Sequence, residues 1–294
     1  LASIPAAGTK AVLTAWQGRA RGLPMGIRQT GVPIGAMLAA FFLPRLAPGM
    51  SSPQRLFWAF AVALWATSWL FAAYIPPRLG LAGEGQSGES APKASLGRAI
   101  RVAWLPAMAG FFLAWGQYDV LTYSIPYLHL IQGQTVAVAG AVLAAAQVGG
   151  ALGRIGFGAL SDRWGGRRAA TILVVLSLGV VVSTVVATLP KGSPLDLLFA
   201  LWFFMGSAMA GWNALLITWA GELVPSQWSG TSMSLIGSSV MLGSAVAPPI
   251  FGWVAEAGQF GLGWGMLASI FFGVAVLIGI GGVRWANRAK SIPA

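Results

Sequence analysis

Residues 197–221 read LLFALWFFMGSAMAGWNALLITWAG, a run with no charged side chain between Asp196 and Glu222. A hydrocarbon core about 30 Å thick is crossed by about 20 residues of helix rising ~1.5 Å each. The run is long enough for that. So are residues 56–77, 169–190, 223–255 and 257–283, all equally free of charge. These runs are apolar on every side, whereas the strands of a membrane barrel alternate apolar and polar positions over roughly ten residues. The expected class is therefore all-α, a polytopic helical bundle in a membrane.

Composition agrees. Hydrophobic residues make up 56% of the 294 positions and charged residues 9%, against roughly 25% charged in a soluble domain. The 40 glycines would weaken soluble helices, but in a bilayer small residues let helix backbones approach, as Gly31 with Gly35 and Gly149 with Gly153 are placed to do. There is no cysteine, and His129 is the single histidine, so no metal site and no cofactor is expected. The net charge of +11 flanks the spans rather than interleaving with aromatics on a soluble domain. It points to the lipid bilayer, not to nucleic acid.

Hydropathy places helices at about 22–46, 53–76, 98–130, 134–161, 167–189, 194–223, 227–257 and 260–286, after an apolar stub at 1–16. The hydrophilic stretch 78–101, with Glu84, Gly85, Gln86, Ser87, Gly88 and Glu89 at its centre, has the composition of a flexible linker. It separates a bundle at 1–77 from a six-helix bundle at 102–294. Alternating the loops puts Lys10, Arg19, Arg21, Arg28, Arg78, Lys93, Arg98, Arg101, Arg154, Arg163, Arg167, Arg168, Arg284, Arg288 and Lys290 on or near one side, and only Arg45, Arg55 and Lys191 opposite. The positive-inside rule makes that side cytoplasmic, together with the linker and the C-terminus. Six spans follow the linker, but two and a stub precede it. Because the chain also opens at Leu1 in an apolar pattern, we read it as a fragment or a mis-started chain.

Between two spans lies GALSDRWGGRR at residues 158–168. It resembles the signature loop of the major facilitator superfamily: Gly, three residues, Asp-Arg, any residue, Gly, any residue, two basic residues. Gly158, Asp162, Arg163, Gly165, Arg167 and Arg168 fill every fixed position. The resemblance implies a cytoplasmic loop after the eighth of twelve spans, so the stub becomes the end of span four and the front third is missing. It also implies that the loop latches one conformation of an alternating cycle. On physical grounds Gly158 admits a neighbouring helix, Asp162 suits a helix N-terminus, and the three arginines suit the anionic inner surface. A plain basic turn is the bland alternative.

A second stretch, Arg28, Gln29, Gly31, Pro33 and Gly35, resembles the Gly-Pro-rich motif in span five of family antiporters, although Val32 precedes Pro33 where the motif has Gly. Antiport is suggested by it; close packing with a proline bend explains it equally.

Ionisable groups inside a span need a reason. Asp119, Tyr123 and Tyr127 recur at spacing four with Thr122 adjacent, forming one polar face on a helix that Pro126 is placed to break. The resemblance makes this the cavity-lining seventh span, so Asp119 is a candidate proton carrier or cation counter-ion; a structural acid is the alternative. Lys10, in the span-four stub, would suit an anionic substrate. Gln147, Asn213 and Thr218 suit either substrate contacts or interhelical hydrogen bonds. The deep Trp202 and Trp212 face ligand or pack; His129 is interfacial.

The resemblance thus implies a secondary active transporter of a small solute, with proton coupling and efflux open, in the plasma membrane and usually monomeric. A pore, a non-transporting scaffold or an inactive fragment is the alternative, although no polar ring is visible. An enzyme is disfavoured by the lack of intramembrane His and carboxylate clusters and of a nucleotide-binding loop.

Overall fold

The computed structural model describes residues 16, 21–35, 53–74, 95–222, 229–256 and 259–290. The helices are α1 (Gly22–Gln29), α2 (Pro53–Tyr74), α3 (Ser95–Leu130), α4 (Val136–Arg163), α5 (Arg168–Ala187), α6 (Leu195–Glu222), α7 (Ser229–Glu256) and α8 (Phe260–Lys290). No strand occurs among the described residues. Residues 136–163, 168–187, 195–222, 232–256 and 260–280 are both long and apolar enough to cross a membrane.

The chain forms two units. Residues 35–93 make one, whose described helix α2 exposes apolar side chains all round, among them Phe57, Trp58, Leu64, Trp65 and Trp69. The other unit joins residues 1–34 with 94–294 and holds the described core. Lys10 and the linker positions 78–94 lie outside the described residues.

Two sequence expectations about helix continuity change. The helix expected at 22–46 is interrupted at Thr30, where the hydroxyl and the backbone N–H both turn onto the Ile27 carbonyl, at 2.6 and 3.1 Å. Pro33 has no N–H to offer the Gln29 carbonyl, so the ladder lapses there and helical backbone resumes at 31–35. Pro126, in contrast, does not break its helix. α3 carries both Pro106 and Pro126 in its interior and ends at Leu130, because one missing donor bends a helix that its neighbours continue to hold.

Small residues set the tightest packing. A Cβ at Gly150 would lie 2.9 Å from the Ala210 Cβ, and one at Gly153 would lie 2.9 Å from the Ser207 carbonyl oxygen. α4 and α6 therefore meet backbone to backbone, and the Ser207 hydroxyl donates to the Gly149 carbonyl at 3.0 Å. Among the described residues, a Cβ on Gly31 or Gly35 meets nothing within 4 Å. The close approach on that segment falls earlier, at Gly22 and Gly26, because α1 is anchored by its N-terminus.

At the opposite end of the bundle Tyr127 stacks on Trp202 with centroids 5.7 Å apart, and Trp264 closes on both. Trp202 and Trp212 are fully buried, so both pack; Trp253 is exposed. Gln132 bridges this end, donating to the Tyr127 hydroxyl at 3.0 Å and accepting from the Ser193 N–H at 3.0 Å.

Candidate functional site: a latch at the motif loop and a buried carboxyl

α1 begins without a cap of its own. Arg21 stands at the N-cap and makes no capping bond, and the first turn contains no acid. The first N–H groups of a helix must nonetheless find acceptors. They find them on Asp162, at the end of α4, whose Oδ1 accepts from the Gly22 N–H at 3.0 Å and whose Oδ2 accepts from the Leu23 N–H at 2.9 Å. A carboxylate there is also favoured by the helix dipole, by ~0.3–1 kcal/mol and up to ~2 kcal/mol when partly buried.

This approach requires glycine on both helices. A Cβ on Gly22 would collide with the Gly158 carbonyl oxygen, and one on Gly158 with that of Gly22. One turn on, a Cβ at Gly26 would collide with the Arg154 carbonyl. The loop itself turns through Gly165 and Gly166, at φ +67° and +78°, where other L-residues are disfavoured. The turn is closed by the Gly165 N–H to Asp162 O at 3.1 Å and the Gly166 N–H to Ser161 O at 2.9 Å.

Arg168 holds the anchor in place. Its Nη1 reaches Asp162 Oδ1 at 2.6 Å and Ser161 Oγ at 3.0 Å, while Nε and Nη2 grip both oxygens of Glu222 at 3.2 and 3.1 Å. Its pairing with two carboxylates explains why Arg168 is buried, unlike the exposed Arg163 and Arg167. Of the three loop arginines expected at the headgroups, only those two are free to face them. Glu222, Gly22, Gly26 and Ser161 were not singled out from sequence; the acid-free first turn of α1 was the signal that an external acceptor was needed.

The second feature lies deeper. Asp119 is 0% exposed, and among the described residues neither carboxylate oxygen meets a donor in hydrogen-bonding geometry, Trp115 standing one turn before it on α3. Tyr123, one turn on, donates to the Pro248 carbonyl at 2.6 Å and stacks on Phe251. It lines a cleft of about 460 Å³ with Pro126, Leu130, Gly252, Glu256 and Phe260 at the end opposite the motif loop. Tyr127, the third member of the expected polar face, is buried, and its hydroxyl donates to the Val186 carbonyl at 3.2 Å. Thr122 is exposed. Asn213 reaches across from α6 to Gln117 of α3, its Nδ2 donating to Gln117 Oε1 at 3.0 Å, and Gln117 too went unremarked in the sequence. Gln147 is half-buried on α4, whereas the Thr218 hydroxyl turns back to the Ala214 carbonyl at 2.8 Å. His129 is exposed, with Nδ1 2.8 Å from the Gln134 carbonyl. On α1, Arg28 is half-buried with Nη1 3.8 Å from Met25 Sδ, Gln29 is half-buried and Pro33 is buried.

Comparison with known proteins places this arrangement. An uncharacterized MFS-type transporter of Mycobacterium tuberculosis, Rv2994, is 27% identical over 246 residues, covering 84% of this chain and 54% of that protein. The MFS-type transporter pytF of Aspergillus terreus is 29% identical over 161 residues, 53% of this chain and 52% of its own. The chain thus spans about half the length of these relatives. The crystal structure of the MFS transporter FucP in the outward conformation superposes with a TM-score of 0.68 at 16% identity, covering 89% of this chain and 68% of that one. A second FucP structure, of the E. coli fucose:proton symporter, gives 0.66 at 17% identity, over 86% and 67% of the two chains. The family model of the Major Facilitator Superfamily matches residues 1–248, and this multi-pass membrane protein belongs to that superfamily.

Proposed function

We propose that the chain carries the moving parts of a secondary active transporter, a carrier rather than an enzyme, which passes a small solute by alternating access. The observation that carries this reading is the α1 to α4 contact. Two helices meet on bare backbone at Gly22 and Gly158, and Asp162 holds the junction by accepting hydrogen bonds from the Gly22 and Leu23 N–H groups. Such a contact has two discrete arrangements, latched and released, as a gate requires. In this reading Gly158, Asp162, Arg163, Gly165, Arg167 and Arg168 form the latch, with Glu222 added to them. The motif end faces the cytoplasm of a cell whose plasma membrane holds the protein. Residues 78–101 join a bundle at 1–77 to one at 102–294.

Asp119 is the proposed proton carrier or cation counter-ion, reached from the cleft above Tyr123. FucP is named as a fucose:proton symporter, which supports looking for a proton site here. The titratable groups that could act on Asp119 are few. On α3 they are Tyr118, Tyr123, Tyr127 and His129; α4 adds Arg154, and Glu256 ends α7. Residues 197–221 of α6 and 260–283 of α8 carry no charge.

The test is flux into proteoliposomes of a solute identified by thermal stabilisation of the purified chain. A carrier saturates with solute concentration, and Asp119→Asn changes the pH dependence of the rate. Flux that rises linearly without limit would make the protein a pore and sink this reading.

A further inference from the structure

We infer that Arg154 is an oxyanion-binding group on the transport path, and that the solute class is a small anion, a carboxylate foremost. The inference rests on the transporter reading for its word "solute"; the site itself rests on geometry. Arg154 is 3% exposed, and its Nε and Nη1 are buried with no acceptor. An arginine does not shed its charge to escape burial, and a buried cation without a partner is the unstable half of an ion pair. Its counter-charge has to come from somewhere.

The protein does not supply it among the described residues. The chain has seven acids. Asp162 and Glu222 are engaged with Arg168 and with the N-terminus of α1. Asp196 and Glu256 stand at the far ends of α6 and α7. Asp119 lies eleven residues below the end of α3, whereas Arg154 lies eighteen residues along α4 from Val136. At ~1.5 Å per residue their depths differ by about 10 Å. Glu84 and Glu89 belong to residues 75–94, outside those described.

α1 packs backbone to backbone on the turn of α4 that carries Arg154. The backbone of Gly26 sits on the Arg154 carbonyl, one turn from the glycine contact and two from the Asp162 anchor. Release of α1 therefore opens the turn of α4 that carries Arg154, at the motif end. The planar guanidinium fork matches carboxylate and phosphate oxygens, so an anion arriving there supplies the missing charge and favours closure of α1 over it.

The experiment is thermal unfolding of the purified chain in neutral detergent, titrated with acetate, malonate or inorganic phosphate, and with tetramethylammonium as the cationic control. At least one oxyanion is expected to raise the midpoint saturably, tetramethylammonium to leave it unchanged, Arg154→Gln to weaken the response at least tenfold, and Arg154→Lys to retain part of it. The lysine variant keeps the test open if the glutamine variant does not fold. A parallel series in phosphatidylcholine and phosphatidylglycerol nanodiscs separates the sources: a shift with phosphatidylglycerol alone, lost in Arg154→Gln, assigns the oxyanion to a lipid headgroup. No response to any oxyanion or anionic lipid, or a response that survives Arg154→Gln, overturns the site. Because binding is read without turnover, an anion that stabilises a protein showing no saturable flux refutes the transporter reading and leaves the site standing. Saturable flux without an anion response does the reverse.

Discussion

Replacing Asp162 by Asn isolates what the charge of the latch contributes. The two bonds to α1, at 3.0 and 2.9 Å, become at most one, since an amide has a single acceptor oxygen. The favourable interaction with the α1 dipole, ~0.3–2 kcal/mol in a partly buried setting, also goes. Arg168 is not orphaned, because Glu222 still grips it through two bonds. A lost neutral-equivalent hydrogen bond is worth roughly 0.5–1.5 kcal/mol, so the sum is roughly 0.8–3.5 kcal/mol, or roughly 4–400-fold in the latched-to-released ratio. The chain contains no cysteine, which makes the assay clean. A single cysteine in place of Met25, 0% exposed on α1, reacts with a maleimide only when α1 lifts, and its rate follows the open population when opening is fast relative to alkylation. The rate is expected to rise roughly 4-fold or more, up to roughly 400-fold, in the Asp162→Asn background. A change under about twofold, with the protein still folded, would show that Asp162 does not hold α1 down and would refute the latch.

Other perturbations follow from the same contacts. Gly158→Ala or Gly26→Ala forces backbone apart at a site with no room for a methyl; an overpacking cost of ~1–3 kcal/mol is expected, read as faster alkylation of the same cysteine. Arg168→Gln and Glu222→Gln should be strongly non-additive, with a coupling of ~1–3 kcal/mol in a double-mutant cycle on thermal stability; additivity would mean that the bidentate pair contributes nothing. Gln132→Ala leaves the buried Ser193 N–H without its acceptor and should cost about 1–3 kcal/mol, whereas Tyr127→Phe, which keeps the ring stacked on Trp202, should cost less. Equal losses would place the stability of that end in the hydroxyl instead of the amide bridge.

The helices were legible because the bilayer imposes one rule on every span, uninterrupted apolar length, and that rule is local. Residues 194–223 and 260–286 were expected to be helical, and Leu195–Glu222 and Phe260–Lys290 are. The break at Thr30 was less accessible: Pro33 announces a missing donor, but whether a helix bends or lapses depends on what packs around it, as the unbroken passage of α3 through Pro126 shows.

The latch was half legible for a related reason. The spacing of Gly158, Asp162 and Arg168 marks a motif, yet the groups that complete it stand far off in sequence, at Gly22, Leu23 and Glu222. No local pattern names a partner some 140 residues away. What the sequence does carry is a deficit on each side. α1, with Arg21 at its N-cap, has no acid in its first turn, so its N–H groups require an acceptor from another element; residues 158–168 hold one carboxylate, Asp162, beside six glycine or arginine positions and lead into α5, which also starts without an acid. The first turns of α2, α3, α4, α5, α7 and α8 lack an acid as well, so the deficit alone does not name α1 as the partner. Arg154, whose buried Nε and Nη1 meet no acceptor among the described residues, poses the same question of a missing partner, and the answer proposed for it is an oxyanion.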